Sequence, residues 1–157
     1  MRDVRIAEPV LDGIAAHARD TYPDECCGFL IAGPDPAEEG EGRTIVRAVP
    51  AANTFDGERR RRFLVSAEEL REVERRLEPT DEILAGFYHS HPDHPARPSQ
   101  FDQDHAWPWY TYLVTRVTAD SVGETRAFEL DPASSEFREV RLERRPTEAP
   151  RAAMVDG

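Results

Sequence analysis

Lysine is absent from this 157-residue chain: all twenty basic residues are arginine, against thirty-one carboxylates, for a formal net charge of -11. A phosphate backbone rewards a basic face and repels a surface like this on average, so nucleic-acid binding is not expected. A carboxylate-rich, lysine-free surface suits a high-salt habitat or a G+C-rich genome and says little about chemistry. Cysteine is scarce as well. Cys26 and Cys27 are adjacent, so they cannot staple distant parts of the chain, and their spacing fits no two-cysteine zinc knuckle; a reducing compartment is expected. Long hydrophobic runs are missing too. No apolar stretch approaches the roughly 20 residues needed to span a bilayer, and the opening "MRDVRIAEPVLDGIAAHARD" is broken by charges every few residues, unlike a signal peptide. The expectation is a soluble, cytoplasmic protein with no membrane partner. Nothing in the pattern fixes an oligomeric state. There is no internal repeat, and the length suits one core: a single domain is expected over residues 1–145, followed by a disordered Pro-, Ala- and charge-rich tail over 146–157.

What is present begins with a helix. In "AEPVLDGIAAHARDTYPDE", Val10, Leu11, Ile14, Ala15 and Ala18 recur at helical spacing, with Pro9 suited to the first turn and Pro23 closing the segment. "CCGFLIAG" and "RTIVRAVPAAN" read as two strands of a hairpin joined by the acidic loop "PDPAEEGEG". Phe63 and Val65 then alternate as in a strand, before Leu70, Val73 and Leu77 take up a helical period; Ser66 and Glu69 have capping-box spacing at that junction. "EILAGFYHSH" reads as a buried strand, and "WYTYLVTRV", "TRAFEL" and "EFREVRL" as an antiparallel meander. Helices and strands do not alternate strictly, which predicts a mixed α/β (α+β) class: a curved mixed β-sheet flanked by helices.

The stretch "GFYHSHPDHPARPSQFD" packs three of the five histidines into seventeen positions. Residues two apart on a strand share a face about 6.6 Å apart, so His89 and His91 can aim at one ion while Ser90 points away; Pro92 ends the ladder. Ser99 and Asp102 follow at the start of a short helix, where Asp102 can swing back as an oxygen ligand. Two imidazoles and a carboxylate leave one corner of a zinc tetrahedron for water, the arrangement of a catalytic site, and bound zinc lowers the pKa of such a water to about 7. Ser-x-x-Asp is also an ordinary helix N-terminus that needs no metal.

The run His-x-His, seven residues, Ser, two residues, Asp resembles the JAMM motif of MPN-domain zinc metalloproteases, matched at His89, His91, Ser99 and Asp102. "DECCGFLIAG" is similar to the Glu-x-Cys-Gly setting of small prokaryotic members, at Glu25, Cys27 and Gly28, and the segment from Asn53 through "RRFLVSAEEL" resembles the family's strand-helix junction. The resemblance covers about residues 4 to 130 and departs at Gln100-Phe101 and at "IAGP". It implies the MPN/JAMM fold, which is cytidine-deaminase-like, with Zn2+ held by His89, His91 and Asp102. By the same resemblance Glu25 is the catalytic acid/base, exchanging a proton with water and then with the leaving amine, and Ser99 donates to the developing oxyanion. Spacing alone does not single out Glu25. The implied activity is that of a metallopeptidase or isopeptidase acting on the C-terminal tail of a ubiquitin-like or sulfur-carrier protein.

Two other readings stand beside it. A non-catalytic MPN-type binding scaffold typically lacks the ligands, all of which are present here. A nucleobase deaminase needs His-x-Glu and a later Cys-x-x-Cys, and neither occurs. His105 follows Asp102 by three residues, as a neighbour or substitute ligand or else a surface histidine. His94 stands in the loop, at the mouth of the site or simply solvated, and His17 has no evident partner. Cys26 and Cys27 are expected to be buried as small apolar side chains. The run Arg59 to Arg62 is either a solvated edge or a binder of carboxylates.

Overall fold

Val4 and Ile6 are wholly buried while Asp3, Arg5 and Ala7 are not, and that period of two makes a strand, β1 (Asp3–Ala7), ahead of the first helix. The computed structural model describes residues 2–34 and 42–146. Helix α1 (Glu8–Thr21) carries Pro9 in its first turn and buries Leu11, Ile14 and Ala18 along one stripe. Strands β2 (Cys27–Ala32) and β3 (Gly42–Ala51) pair antiparallel as the expected hairpin; most of their connection, residues 35–41, lies outside the described residues. Then come α2 (Ala67–Leu77), β4 (Ile83–Pro92), α3 (Gln100–Asp104), β5 (Thr111–Val117), β6 (Val122–Asp131), β7 (Glu136–Val140) and β8 (Leu142–Arg145). Of the tail expected over 146–157, residues 147–157 lie outside those described.

The strands form one mixed sheet in the order β7-β6-β5-β4-β2-β3-β1-β8. Its two edge strands, β7 and β8, are separated in sequence by Arg141 alone. Flat, eight strands would hold those edges roughly 33 Å apart, far beyond the reach of so short a link. The sheet therefore curls until its edges are neighbours and is nearly closed; the Arg141 carbonyl accepts the Val4 N–H at 2.9 Å where the turn is made. Helix α1 packs against β1, β3, β4, β5 and β6, so it lies in the curl, over a core that includes Ile6, Leu30, Tyr88 and Leu113. Helix α2 covers the opposite face, where Leu77 meets Cys27, Phe29, Ile31 and Leu84. The neighbouring cysteines thus divide between the two faces, both buried and free.

Three expectations need correction. The segment around Phe63 and Val65 is not a strand. Thr54 N–H donates to the Leu64 carbonyl at 2.9 Å, but the Leu64 N–H is taken at 3.2 Å by the Asn53 side chain, so no ladder propagates. The capping box at α2 is only half made: Ser66 accepts from the Glu69 N–H, while the Glu69 carboxylate reaches the Ala52 N–H at 3.2 Å instead. "EFREVRL" is two strands rather than one, because β7 closes the meander with β6 while β8 crosses to pair in parallel with β1. Among the described residues no helix is long and apolar enough to cross a membrane.

Candidate active site

Side-chain alternation along β4 decides which groups meet. Phe87 and His89 face the α2 side of the sheet, while Tyr88 and Ser90 face α1. On the α1 side His17 finds the partner it lacked in the sequence: its Nδ1 lies 2.7 Å from the Tyr88 hydroxyl. Ser90 points away from the ion site, as expected, and its Oγ accepts the Cys26 N–H at 2.8 Å. Its own N–H donates to the Cys26 carbonyl at 3.1 Å. Those two bonds carry the antiparallel register, in which Cys27 lies opposite His89, past the end of the ladder. Glu25 is thereby brought alongside His91, on the face that His89 shares.

Glu25 is held there from both ends. Its N–H donates to the Arg59 carbonyl at 2.7 Å. Its carbonyl accepts from the Asn53 side chain at 3.0 Å, and the same amide bonds the Arg62 carbonyl. Asn53, with four such contacts, is the organiser of this corner; the sequence offered no signal for its role beyond its position in a family-like segment. Gly28 is required close by, since a Cβ there would come within 2.5 Å of the Val49 carbonyl oxygen.

Glu25 is 1% exposed and its Oε1 has no hydrogen-bond partner. Burial pushes its pKa up to about 8, with the His89 imidazole opposing and the Asp102 carboxylate assisting. Asp102 arrives from α3, where Ser99 and Asp102 form the full capping box. Ser99 Oγ accepts the Asp102 N–H at 3.1 Å, and Asp102 Oδ2 accepts the Ser99 N–H at 2.8 Å. The Ser99 hydroxyl proton is left free to donate elsewhere. Both readings of Ser-x-x-Asp thus hold together: the cap orients Asp102 so that the same Oδ2 lies 3.1 Å from His89 Nε2. Burial alone would raise the Asp102 pKa, but His89 and the Ser99 groups outweigh it and bring it down to about 2. For His89, burial pulls the pKa down and Asp102 more than offsets that, so the net shift is upward. Phe63 stacks on the His89 ring at 4.6 Å and fixes its plane. His91 is shifted downward, first by burial and then by His89. Its Nδ1 lies 2.9 Å from the Pro95 carbonyl; donating there leaves Nε2 with a free lone pair.

These donors fit a zinc ion chemically. His89 Nε2 is buried and has no well-aligned hydrogen bond, and its 3.1 Å separation from Asp102 Oδ2 is close to the roughly 3.3 Å between two ligands on a zinc tetrahedron. Among the described residues no three His, Cys, Asp or Glu side chains are gathered tightly enough to form an ion cage. The assembled part is the His89–Asp102 pair, with the His91 ring 6.2 Å from that of His89. His105 is the exposed C-cap of α3, 2.8 Å from the Phe101 carbonyl, and His94 is an exposed loop residue whose ring lies 5.3 Å from that of His91. Beside His89 and Asp102 opens an apolar cavity of about 140 Å³ whose walls include Phe63, Phe101, Trp107 and Phe137. These come from four separate segments, which no local pattern in the sequence unites.

A family model described as prokaryotic homologs of the JAB domain matches residues 7–131. The chain belongs to this family. A desampylase from Haloferax volcanii is 33% identical over 114 residues, 69% of this chain and 77% of that protein. A CysO-cysteine peptidase from Mycobacterium tuberculosis is 38% identical over 99 residues, 62% of this chain and 61% of its own length. Relatives so named support a hydrolase. Among solved structures, the solution structure of a Salinibacter ruber protein is 31% identical with a TM-score of 0.68, covering 92% of this chain and 93% of that one. A JAB1/MPN domain protein from Archaeoglobus fulgidus, 17% identical with a TM-score of 0.55 over 88% of this chain and 98% of that one, shares the fold. The prokaryotic JAB family and its curved mixed sheet are therefore as the sequence implied.

Proposed function

We propose that this JAB-family chain is a zinc-dependent metallopeptidase or isopeptidase that hydrolyses an amide bond at the C-terminal tail of a ubiquitin-like or sulfur-carrier protein. His89, His91 and Asp102 are its metal ligands, Glu25 its acid/base and Ser99 its oxyanion donor. The observation that carries this reading is the buried Glu25 carboxyl, unpaired at Oε1, beside a His89–Asp102 pair at 3.1 Å. A scaffold has no use for a carboxyl group buried where its ionisation is so costly. The names of the desampylase and CysO-cysteine peptidase relatives support the substrate class.

When bound, zinc would polarise the scissile carbonyl and lower the pKa of water to about 7. The chain's own residues do the rest. Glu25, desolvated and therefore a stronger base than an exposed carboxylate, takes a proton from the attacking water and returns one to the departing amine. In the metal-free chain, positive charge at His89 opposes the upward shift of the Glu25 pKa. Ser99 keeps its hydroxyl hydrogen for the developing oxyanion, because its lone pair is already engaged by Asp102 N–H. Phe63 and the Pro95 carbonyl hold the two imidazoles in plane and in tautomer.

The test is incubation of the zinc-loaded protein with a ubiquitin-like carrier bearing one amide-linked residue at its C-terminus, followed by mass spectrometry. Loss of that residue's mass, abolished by a chelator and restored by zinc, is the expected result. An unchanged carrier, bound but not cut, would favour the scaffold instead.

A further inference from the structure

Phe101 divides the surroundings of the site into two unlike hollows. On one side is the apolar cavity beside His89 and Asp102. On the other, an open hollow is bordered by Arg61, Arg62, Arg97, His91, His94 and Ser99, and among the described residues no carboxylate lines it. That is notable in a chain of net charge -11. Elsewhere arginines find carboxylates: Arg47 with Glu82, Arg76 with Glu72, Arg138 with Asp131. Arg61, Arg62 and Arg97 have no carboxylate partner among the described residues. The Arg62 guanidinium rests on the Phe101 ring at 4.5 Å, which orients it without neutralising it. Its backbone is tied through Asn53 to Glu25, so the position of this cation is coupled to the position of the acid/base.

An anion drawn to this wall lies beside His91 and Ser99, and the acyl group must stand where Ser99 and Glu25 can act on it. The hydrolysed amide has its nitrogen on the departing side. If that nitrogen belongs to an α-amino acid at the end of a chain, a free carboxylate sits one carbon away from it. A lysine side chain in an isopeptide bond carries no such group next to its nitrogen.

We propose that Arg62, with Arg61 and Arg97, is a carboxylate subsite that grips the free C-terminal α-carboxylate of the departing residue. This rests on the peptidase reading above and narrows its substrate class. In the reaction water divides across the amide: the acyl carbon gains OH, the nitrogen gains H, the C–N bond breaks, and nothing is oxidised or reduced. The guanidinium groups touch the substrate away from the reacting atoms and position it through charge-assisted hydrogen bonds.

Three peptides test it: a carrier tail ending in a free carboxylate, the same tail ending in a primary carboxamide, and the carboxamide with an aspartate at its last residue. Binding is measured by calorimetry to the full-length zinc-loaded Glu25→Gln protein, and cleavage with the wild-type enzyme. The free acid is expected to bind about 10-fold or more tighter than either amide, with the gain falling mainly in KM, and the preference is expected to vanish in Arg62→Gln/Arg97→Gln. Equal binding of acid and amide, a preference that survives the double substitution, or an aspartate peptide as good as the free acid would each overturn the subsite. Absence of cleavage with the binding preference intact would count against the peptidase reading and leave the carboxylate site standing.

Discussion

Replacing Glu25 with glutamine is expected to lower amide hydrolysis by about 10³-fold or more while zinc still binds. Glutamine keeps the shape and the backbone anchors to Arg59 and Asn53 but cannot exchange a proton. The same substitution has a second readout in the metal-free protein. Burial raises the Glu25 pKa from 4.5 to about 8, so the folded chain keeps a proton that the unfolded chain gives up. Its contribution to stability is fully present below pH 4.5 and is lost as pH rises to about 8, amounting to something on the order of 5 kcal/mol. Wild-type protein should therefore weaken across that window relative to Glu25→Gln, which has nothing to titrate there. Denaturant melts of both metal-free proteins at pH 5 and pH 8.5 check this. Parallel pH profiles would mean that the carboxyl is solvated, and a cleavage rate within about tenfold of wild type would remove Glu25 from the chemistry.

Gly86→Ala is expected to be the most damaging glycine-to-alanine change among the described residues. Gly86 lies opposite Thr111 in the parallel β4–β5 pair, and a Cβ there would sit 1.8 Å from the Thr111 carbonyl oxygen. That oxygen is backbone in a ladder, and the corner is further pinned by Arg43, which donates to the Ala85 carbonyl at 2.6 Å and to Thr111 Oγ1 at 3.0 Å. Neither strand can yield without breaking its pairing, so a loss of more than about 4 kcal/mol is expected, and His89, three residues along β4, loses its place. Gly13→Ala is the contrast. Nothing lies within 4 Å of a Cβ at that position in α1, and a gain of roughly 0.5–1 kcal/mol is expected. Thermal melts of the two variants should move in opposite directions; a Gly86→Ala protein melting like wild type would contradict the tight β4–β5 approach.

The motif residues were legible because their geometry is local. His89 and His91 share a face through the period of two, and Ser99 and Asp102 are joined by a helix cap, so spacing along the chain carried the arrangement. Glu25 was not legible from spacing, since its place depends on a strand pairing sixty residues away, and only family resemblance pointed to it. Asn53, Phe63 and the walls formed by Trp107 and Phe137 meet the site through tertiary packing alone. The same limit explains the fold. β1 gives only a weak signal in the sequence, because just two of its five residues, Val4 and Ile6, alternate as buried positions, and the strand is made by β3 and β8 on either side. The break between β7 and β8 follows from sheet closure, which no pattern within "EFREVRL" encodes. The strand expected at Phe63 and Val65 failed because a side chain, Asn53, took the N–H that a neighbouring strand would have needed.

The most direct measurement is zinc stoichiometry after dialysis against metal-free buffer, by elemental analysis of the wild-type, His91→Ala and Glu25→Gln proteins, with carrier cleavage assayed on the same samples. One zinc per chain in the wild-type and Glu25→Gln proteins, little in His91→Ala, and cleavage by the wild type alone is the expected result. Equal zinc in all three, or none in any while the carrier is still cut, would contradict a catalytic metal at His89, His91 and Asp102.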